Sequence, residues 1–374
     1  MAAKPGRLGL YLGMMSGTSL DGVDAALVET DGERLGALSP VLTLPVPPRL
    51  RATLRAILDQ AASLAADDPA LRAAEAALTS LHTDAVRALL AREGVGPGAV
   101  EAIGFHGQTV LHRPQQRRTW QIGDAPMLAA ATGIRVVHDF RSADVAEGGQ
   151  GAPLAPLFHA ALLAGAERPV AALNLGGVAN VTWLGEDDAI LAFDTGPANA
   201  LLDDWALRHT GRPVDEGGAL AASGTPDEAV LGRLLAHPFF TAPPPKSLDR
   251  LDFHRAAEAA GVPALSPANG AATLLAFTAR SVSAATAHLP ATPRRWVACG
   301  GGRRNPVLMR ALAAALGVPV VTAEQQGWDG DGIEAQAFGF LAARSLRGLP
   351  LSLPGTTGVP RPMPGGRIAL PAAA

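Results

Sequence analysis

Gly13-Met14-Met15-Ser16-Gly17-Thr18-Ser19-Leu20-Asp21-Gly22-Val23-Asp24 lies across two apolar runs, Leu8 to Met14 and Val23 to Val28. The runs read as antiparallel strands and the segment joining them as a tight turn. Glycines let backbone N–H groups approach a phosphate closely, Ser and Thr add donors, and Asp holds magnesium directly or through water. Two readings are open at this point. One is a cradle for a nucleotide triphosphate; the other is an exposed hairpin turn, which Ser, Gly and Asp favour for purely local reasons.

The same strand, glycine turn, strand pattern returns at Val170 to Asn174, Gly176-Gly177 and Val178 to Leu184, with a third strand at Ile190 to Asp194. The echo implies two related lobes, each offering a phosphate-contacting hairpin. Between the two, spaced Leu and Ala predict helices over Arg49 to Ala65 and Pro69 to Arg92. Short strands follow at Ala102 to Phe105, Thr119 to Ile122 and Arg135 to Asp139, with a helix at Ala125 to Thr132. A glycine-rich passage, Glu147 to Pro153, precedes a helix at Leu154 to Ala166. After the echo, Thr225-Pro226-Asp227-Glu228 reads as a helix start with Thr225 as the cap. Helices are expected at Asn269 to Ala287, Asn305 to Leu316 and Ile333 to Leu346, and strands at Trp296 to Cys299 and Val318 to Val321. The Pro- and Gly-rich stretch from Pro350 reads as a surface strap, frayed at Pro371 to Ala374.

A length of 374 residues exceeds the usual single domain, so two lobes with a cleft between them are expected. Basic and acidic residues number 31 and 34 and are interspersed, so neither a nucleic-acid nor an acidic-membrane partner follows. The single cysteine, Cys299, leaves no intramolecular disulfide. Lys4 and Arg7 before Leu8 to Met15 superficially resemble a secretory signal. The apolar stretch is short and contains glycines, so it reads as a first strand of a cytoplasmic protein.

Several segments end strands in polar clusters. In Phe105-His106-Gly107-Gln108-Thr109, His106 is a candidate base or donor and Gln108 and Thr109 are candidate sugar ligands; a structural turn histidine is the alternative. Asp139-Phe140-Arg141-Ser142-Ala143-Asp144 sets two carboxylates around one guanidinium, either as an internal salt bridge or as a grip on an anionic substrate group. Phe193-Asp194-Thr195-Gly196-Pro197-Ala198-Asn199 delivers a lone carboxylate into a turn before a helix, suited to a general base or to a cap. Cys299-Gly300-Gly301-Gly302-Arg303-Arg304-Asn305 allows close approach of a flat or phosphorylated ligand, and Asn305 reads also as a helix cap. The dinucleotide fingerprint, the Gly-x-Ser-x-Gly elbow and the P-loop signature are absent, and no histidines pair at zinc spacing.

Together, in order along nearly the whole chain, these segments resemble the anhydro-N-acetylmuramic acid kinase family, which belongs with the actin, hexokinase and Hsp70 superfamily. Gly13 to Asp24 looks like the family's first phosphate hairpin and Asn174 to Val181 its second; Gln121-Ile122-Gly123, Asp139 to Pro153 and Pro245-Lys246-Ser247 also match. The resemblance implies an α/β, two-lobed actin-like (ribonuclease H-like) fold with its active-site cleft between the lobes. We divide the chain at 1–142 and 143–349, with 350–374 packing back on the first lobe. It implies an enzyme that uses ATP and Mg²⁺ to open the 1,6-anhydro ring during cell-wall recycling, with Asp194 as the base. ATP would be bracketed by Gly17, Thr18, Ser19, Leu20, Asp21, Gly22, Val23 and Asp24, closed by Gly176 and Gly177, and bordered at the adenosine by Gly300, Gly301, Gly302 and Asn305. Asp21 or Asp24 would hold the metal through water. Thr109, Arg141 and Glu334 would contact the sugar, Arg141 facing the lactyl carboxylate, and the family implies a homodimer. Two departures stand out: Ala198 where the family more often has Gly, costing about 1 kcal/mol if a positive φ is required, and an atypical Gln325 to Gly332.

Overall fold

The computed structural model describes residues 6–17, 19–248 and 250–371, so the expected ATP contact at Thr18 and the frayed end at 372–374 lie outside the described residues. The strands are β1 Gly9–Ser16, β2 Gly22–Thr30, β3 Leu35–Leu38, β4 Leu42–Pro45, β5 Val100–Arg113, β6 Arg118–Ile122, β7 Val136–His138, β8 Val170–Leu175, β9 Val178–Leu184, β10 Ile190–Pro197, β11 Trp296–Cys299, β12 Val320–Thr322 and β13 Arg367–Ala369. The chain forms two compact α/β units, Met1–Leu162 with Gly332–Ala374, and Leu163–Asp331.

In the first unit the sheet runs β13-β7-β5-β1-β2-β3, with β4 also on β2 and β6 on β5. β1 and β2 are antiparallel neighbours, whereas β5 lies parallel to β1 and β7 parallel to β5. Parallel neighbours need a crossover. The helices Pro48–Gln60 and Pro69–Glu93 supply it before β5, and Ala125–Thr132 before β7. The second unit repeats this plan: β8, β9 and β10 are consecutive antiparallel strands, then β11 pairs parallel with β8 and β12 with β11. Its last crossover is Pro306–Leu316. The sequence echo is therefore a repeat of topology, each unit opening on a strand, glycine turn, strand.

The unit boundaries differ from 142/143 and 349/350. The helix Ile333–Leu346, which follows the second unit in sequence, packs on β1, β2 and β5 of the first. Its segment is apolar nearly all round, and eleven of its residues are buried. Small residues bring it down onto the sheet: a Cβ on Gly13 would overlap the carbonyl of Ala335, and one on Gly104 the carbonyl of Phe338.

Three local expectations are corrected. The strand expected at Ala102 to Phe105 extends to Arg113, because His106 and Gln108 are buried polar residues inside a strand that bends at Gly107 (φ 71°). The helix expected to be capped by Thr225 starts at Glu228, since the Asp227 carboxylate accepts from the N–H groups of Ala229 and Val230. The stretch from Pro350 is more than a surface strap: Leu351, Ser352, Thr356, Thr357 and Val359 are buried, and β13 joins the sheet edge at β7.

Candidate active site and family

In the first hairpin, Met15 faces Asp24 and Ser16 faces Val23 across β1 and β2. The Leu20 N–H donates to the Gly17 carbonyl (3.0 Å), Leu20 has φ 60°, and its side chain is buried in the core of the unit. The left-handed conformation costs a leucine about 1 kcal/mol, less than burial of its side chain contributes. Leu20 and Val23 thus serve as anchors, so any contact they make with ATP is through backbone; Ser19 and Asp21 are exposed, and Gly17, Gly22 and Asp24 are partly so. Asp24 accepts from Thr43 Oγ1 (2.5 Å), and the Asp21 carboxylate lies 3.9 Å from the Arg51 guanidinium. Among the described residues no three His, Cys, Asp or Glu side chains gather as a metal cage.

In the second unit the turn at Gly176-Gly177 accepts from the start of the next helix. The N–H groups of Asn199 and Ala198 donate to the carbonyls of Gly176 (2.9 Å) and Gly177 (3.0 Å), and Asn199 Nδ2 donates to that of Leu175 (2.8 Å). Gly300 has φ 73°, and a Cβ there would come within 2.8 Å of the Leu175 backbone. A Cβ on Gly302 would come within 2.8 Å of Asn199 Oδ1. Gly300 and Gly302 therefore let their loop lie against the second hairpin, whereas a Cβ on Gly301 would make only an ordinary contact, and the structure brings these two sequence motifs together. Asn305 caps the following helix, its Oδ1 accepting from Val307 and Leu308.

Asp194 stands on β10 beside an irregularity in pairing before Gly196. Its N–H donates to the Lys246 carbonyl (3.0 Å), and one carboxylate oxygen accepts from the Leu248 N–H (2.8 Å). Burial pushes its pKa from the ordinary 3.8 up to about 7, against the opposing pull of the Leu248 N–H. Such a carboxylate takes and releases protons near neutrality. The Lys246 ammonium points away: it donates to the Phe239 carbonyl (2.9 Å) and sits over the Phe239 ring, pinning the Pro245–Leu248 segment against Asp194. Ala198 has φ −121°, so the position where the family more often has Gly demands no left-handed backbone.

Back in the first unit, Arg141 is partly buried. Its Nε and Nη2 donate to His106 Nε2 (3.1 and 3.0 Å), and its Nη1 donates to the Gly151 carbonyl (2.6 Å). Burial lowers its pKa to about 10, with Glu334 and Asp144 opposing, so it stays charged at neutral pH. The two carboxylates expected around Arg141 divide. Asp139 pairs with Arg367 (3.2 Å), and Asp144 is buried, accepting from the Gly151 N–H (2.6 Å), Thr357 Oγ1 (2.5 Å) and Ser352 Oγ. Glu334 is exposed in the first turn of Ile333–Leu346, and Thr109 Oγ1 accepts from Gln121 Nε2 (3.1 Å). A cavity of about 290 Å³ is lined among others by His106, Trp120, Gln121, His138, Asp139 and Ser142, whereas Thr109, Arg141 and Glu334 are not part of its lining.

Ser352 and Thr357 were invisible as parts of this site in the sequence, being more than 200 positions from Asp144. We expect Thr357→Val to destabilise the protein by about 1–3 kcal/mol, because it strips a buried carboxylate of a donor. Denaturant unfolding of the variant measures that loss.

One sheet plan is repeated in two α/β units, each introduced by a glycine-turn hairpin. The family model for anhydro-N-acetylmuramic acid kinase matches residues 9–370. An anhydro-N-acetylmuramic acid kinase of Acidiphilium cryptum (strain JF-5) is 57% identical over 360 residues, spanning 96% of this chain and 98% of that protein. One from Gluconobacter oxydans (strain 621H) is 58% identical over 362 residues, spanning 95% and 98%. The chain belongs to the anhydro-N-acetylmuramic acid kinase family, and it is a sugar kinase.

Proposed function

We propose that the enzyme converts 1,6-anhydro-N-acetylmuramic acid, water and ATP into N-acetylmuramic acid 6-phosphate and ADP, in the cytoplasm, as a homodimer, during cell-wall recycling. The observation that carries this reading is the Asp194 carboxylate, held by the Leu248 N–H and raised by burial to a pKa of about 7. Asp194 accepts a proton from water as the water oxygen bonds to the anomeric carbon. The bond from that carbon to O6 breaks, and O6 takes the γ-phosphoryl group while ADP leaves. An ordinary glycosidase needs a second carboxyl group to protonate the departing oxygen. Here the phosphoryl group caps it, so one base suffices.

Gly17, Thr18, Ser19, Leu20, Asp21, Gly22, Val23 and Asp24 would bracket the phosphates, with Gly176 and Gly177 offering the second hairpin. Gly300, Gly301, Gly302 and Asn305 would border the adenosine. Thr109, Arg141 and Glu334 would contact the sugar. Two carboxylates, one exposed, suit magnesium, which keeps several waters and leans on phosphate oxygens rather than on a protein cage. Asp21 and Asp24 would hold it through water, and the ion would supply neutralisation of phosphate charge.

Product analysis tests the reading: the anhydro sugar should disappear only when ATP is present, with equimolar ADP. Ring opening without ATP would instead mark a glycosidase, and preference for ring-open sugars an ordinary sugar kinase. A further expectation concerns Asp21, whose side chain is 76% exposed and, among the described residues, pairs only with the Arg51 guanidinium at 3.9 Å. Asp21→Asn should raise KM for magnesium-ATP about 10–100-fold, the usual effect of losing a water-mediated partner of a metal. Its melting temperature should not change.

A further inference from the structure

Five N–H bonds radiate from a guanidinium, and three of those on Arg141 are used inside the protein: two on His106 Nε2 and one on the Gly151 carbonyl. Two remain without a hydrogen bond among the described residues, one on each of the two terminal nitrogens that make up the outer edge of the guanidinium. That edge is the fork that takes a carboxylate with two parallel hydrogen bonds. What holds it in place is an imidazole used at both ends. His106 Nδ1 lies 2.8 Å from the Gly107 carbonyl, which makes Nδ1 the protonated nitrogen and leaves Nε2 as the acceptor for Arg141.

We propose that His106 is a positioning residue for Arg141, a neutral imidazole that turns the outer edge of the guanidinium toward the carboxylate of the sugar. The proposal rests on the reading above, in which Arg141 meets the lactyl carboxylate. The ring has little freedom, being buried and packed on Phe338 with centroids 4.5 Å apart. Burial, with the Arg141 charge adding to it, holds His106 well below the ordinary histidine range, so it remains an acceptor at neutral pH. The other anchor of Arg141 is equally fixed. The Gly151 carbonyl belongs to a residue whose own N–H is tied to the buried Asp144 carboxylate, itself held by Ser352 and Thr357. His106 is therefore a poor base for the reaction, because its only basic nitrogen is occupied by a cation.

Two substitutions separate positioning from packing. His106→Asn keeps a donor to the Gly107 carbonyl and loses the acceptor for Arg141; His106→Gln is long enough to present an oxygen to Arg141. Steady-state kinetics of the whole enzyme are compared for 1,6-anhydro-N-acetylmuramic acid and for 1,6-anhydro-N-acetylglucosamine, which lacks the lactyl carboxylate. His106→Asn should raise KM for the first sugar roughly tenfold, leave KM for the second and for ATP unchanged, and His106→Gln should recover most of the loss. Equal loss on both sugars, or no recovery by Gln, would overturn the positioning role. Arg141→Met provides the separate control. If it keeps the preference for the carboxylated sugar, the assignment of Arg141 itself fails; if it abolishes that preference while His106→Asn does not, only the positioning proposal fails.

Discussion

Replacing Asp194 with Asn should reduce sugar-dependent ADP release by about 10²–10⁴-fold, the usual contribution of a positioned general base. The variant should remain folded, since the Asn side-chain oxygen can still accept from the Leu248 N–H that Asp194 uses at 2.8 Å. In the wild type kcat/KM should rise with pH through about 7, where the carboxylate ionises. That limb should vanish in the variant. The same group makes a signed prediction about stability. Its pKa in the folded protein is raised from 3.8 to about 7, so the folded state binds the proton more tightly than the unfolded chain does. Stability is therefore lost as pH climbs from about 4 to about 7, and none of it returns above that range. Asp194→Asn removes the penalty, so its melting temperature should exceed that of the wild type at pH 8, with the gap closing toward pH 4.

The second large effect is on folding. Gly104→Ala places a methyl group against the backbone carbonyl of Phe338, and backbone cannot rotate aside as a side chain can. The helix Ile333–Leu346 would have to lift from β1 and β5, where Gly13, Gly104 and Gly339 now allow contact at backbone distance. Overpacking of this kind costs about 1–3 kcal/mol and sometimes more. We place Gly104→Ala at the upper end, a fall in melting temperature of roughly 6–12 °C for a unit of this size. Gly98→Ala is the matched control, because nothing lies within 4 Å of its would-be Cβ. It should be neutral or slightly stabilising. Calorimetry of the two variants distinguishes a packing requirement from a general intolerance of alanine.

Where local signals agreed with tertiary structure, the sequence could be read to the residue. Ala125–Thr132 is bounded by an Asp124 cap and a left-handed Gly133, and Ile333–Leu346 by its unbroken apolar run. β9 and β11 likewise have the limits that their β-branched and apolar residues imply. The sequence predicts too short a β5 because His106 and Gln108 interrupt its apolar pattern, yet both are buried. A polar residue can belong to a strand core when it is hydrogen-bonded there, as His106 is with Gly107 and Arg141. Charges close in sequence also misled. Asp139 and Arg141 look like partners, but Asp139 pairs with Arg367 and Arg141 with His106, and neither pairing carries a local signal. No helix is expected from the sequence over Arg250–Ala260, although its buried residues Phe253, Ala257 and Ala260 stand at helical spacing; two of the three are alanines, which mark the apolar face only weakly. The glycines were the most legible part of the candidate site, for a physical reason: at Gly300 a positive φ and a close backbone neighbour exclude every other residue type.

The central claim is that water, activated by Asp194, opens the anhydro ring while O6 is phosphorylated. Turnover in ¹⁸O-labelled water, followed by mass spectrometry of the sugar phosphate, tests it most directly. The account predicts one labelled oxygen on the anomeric carbon and none in the phosphoryl group. An unlabelled anomeric oxygen in the freshly formed product, or label in the phosphoryl group, would contradict it.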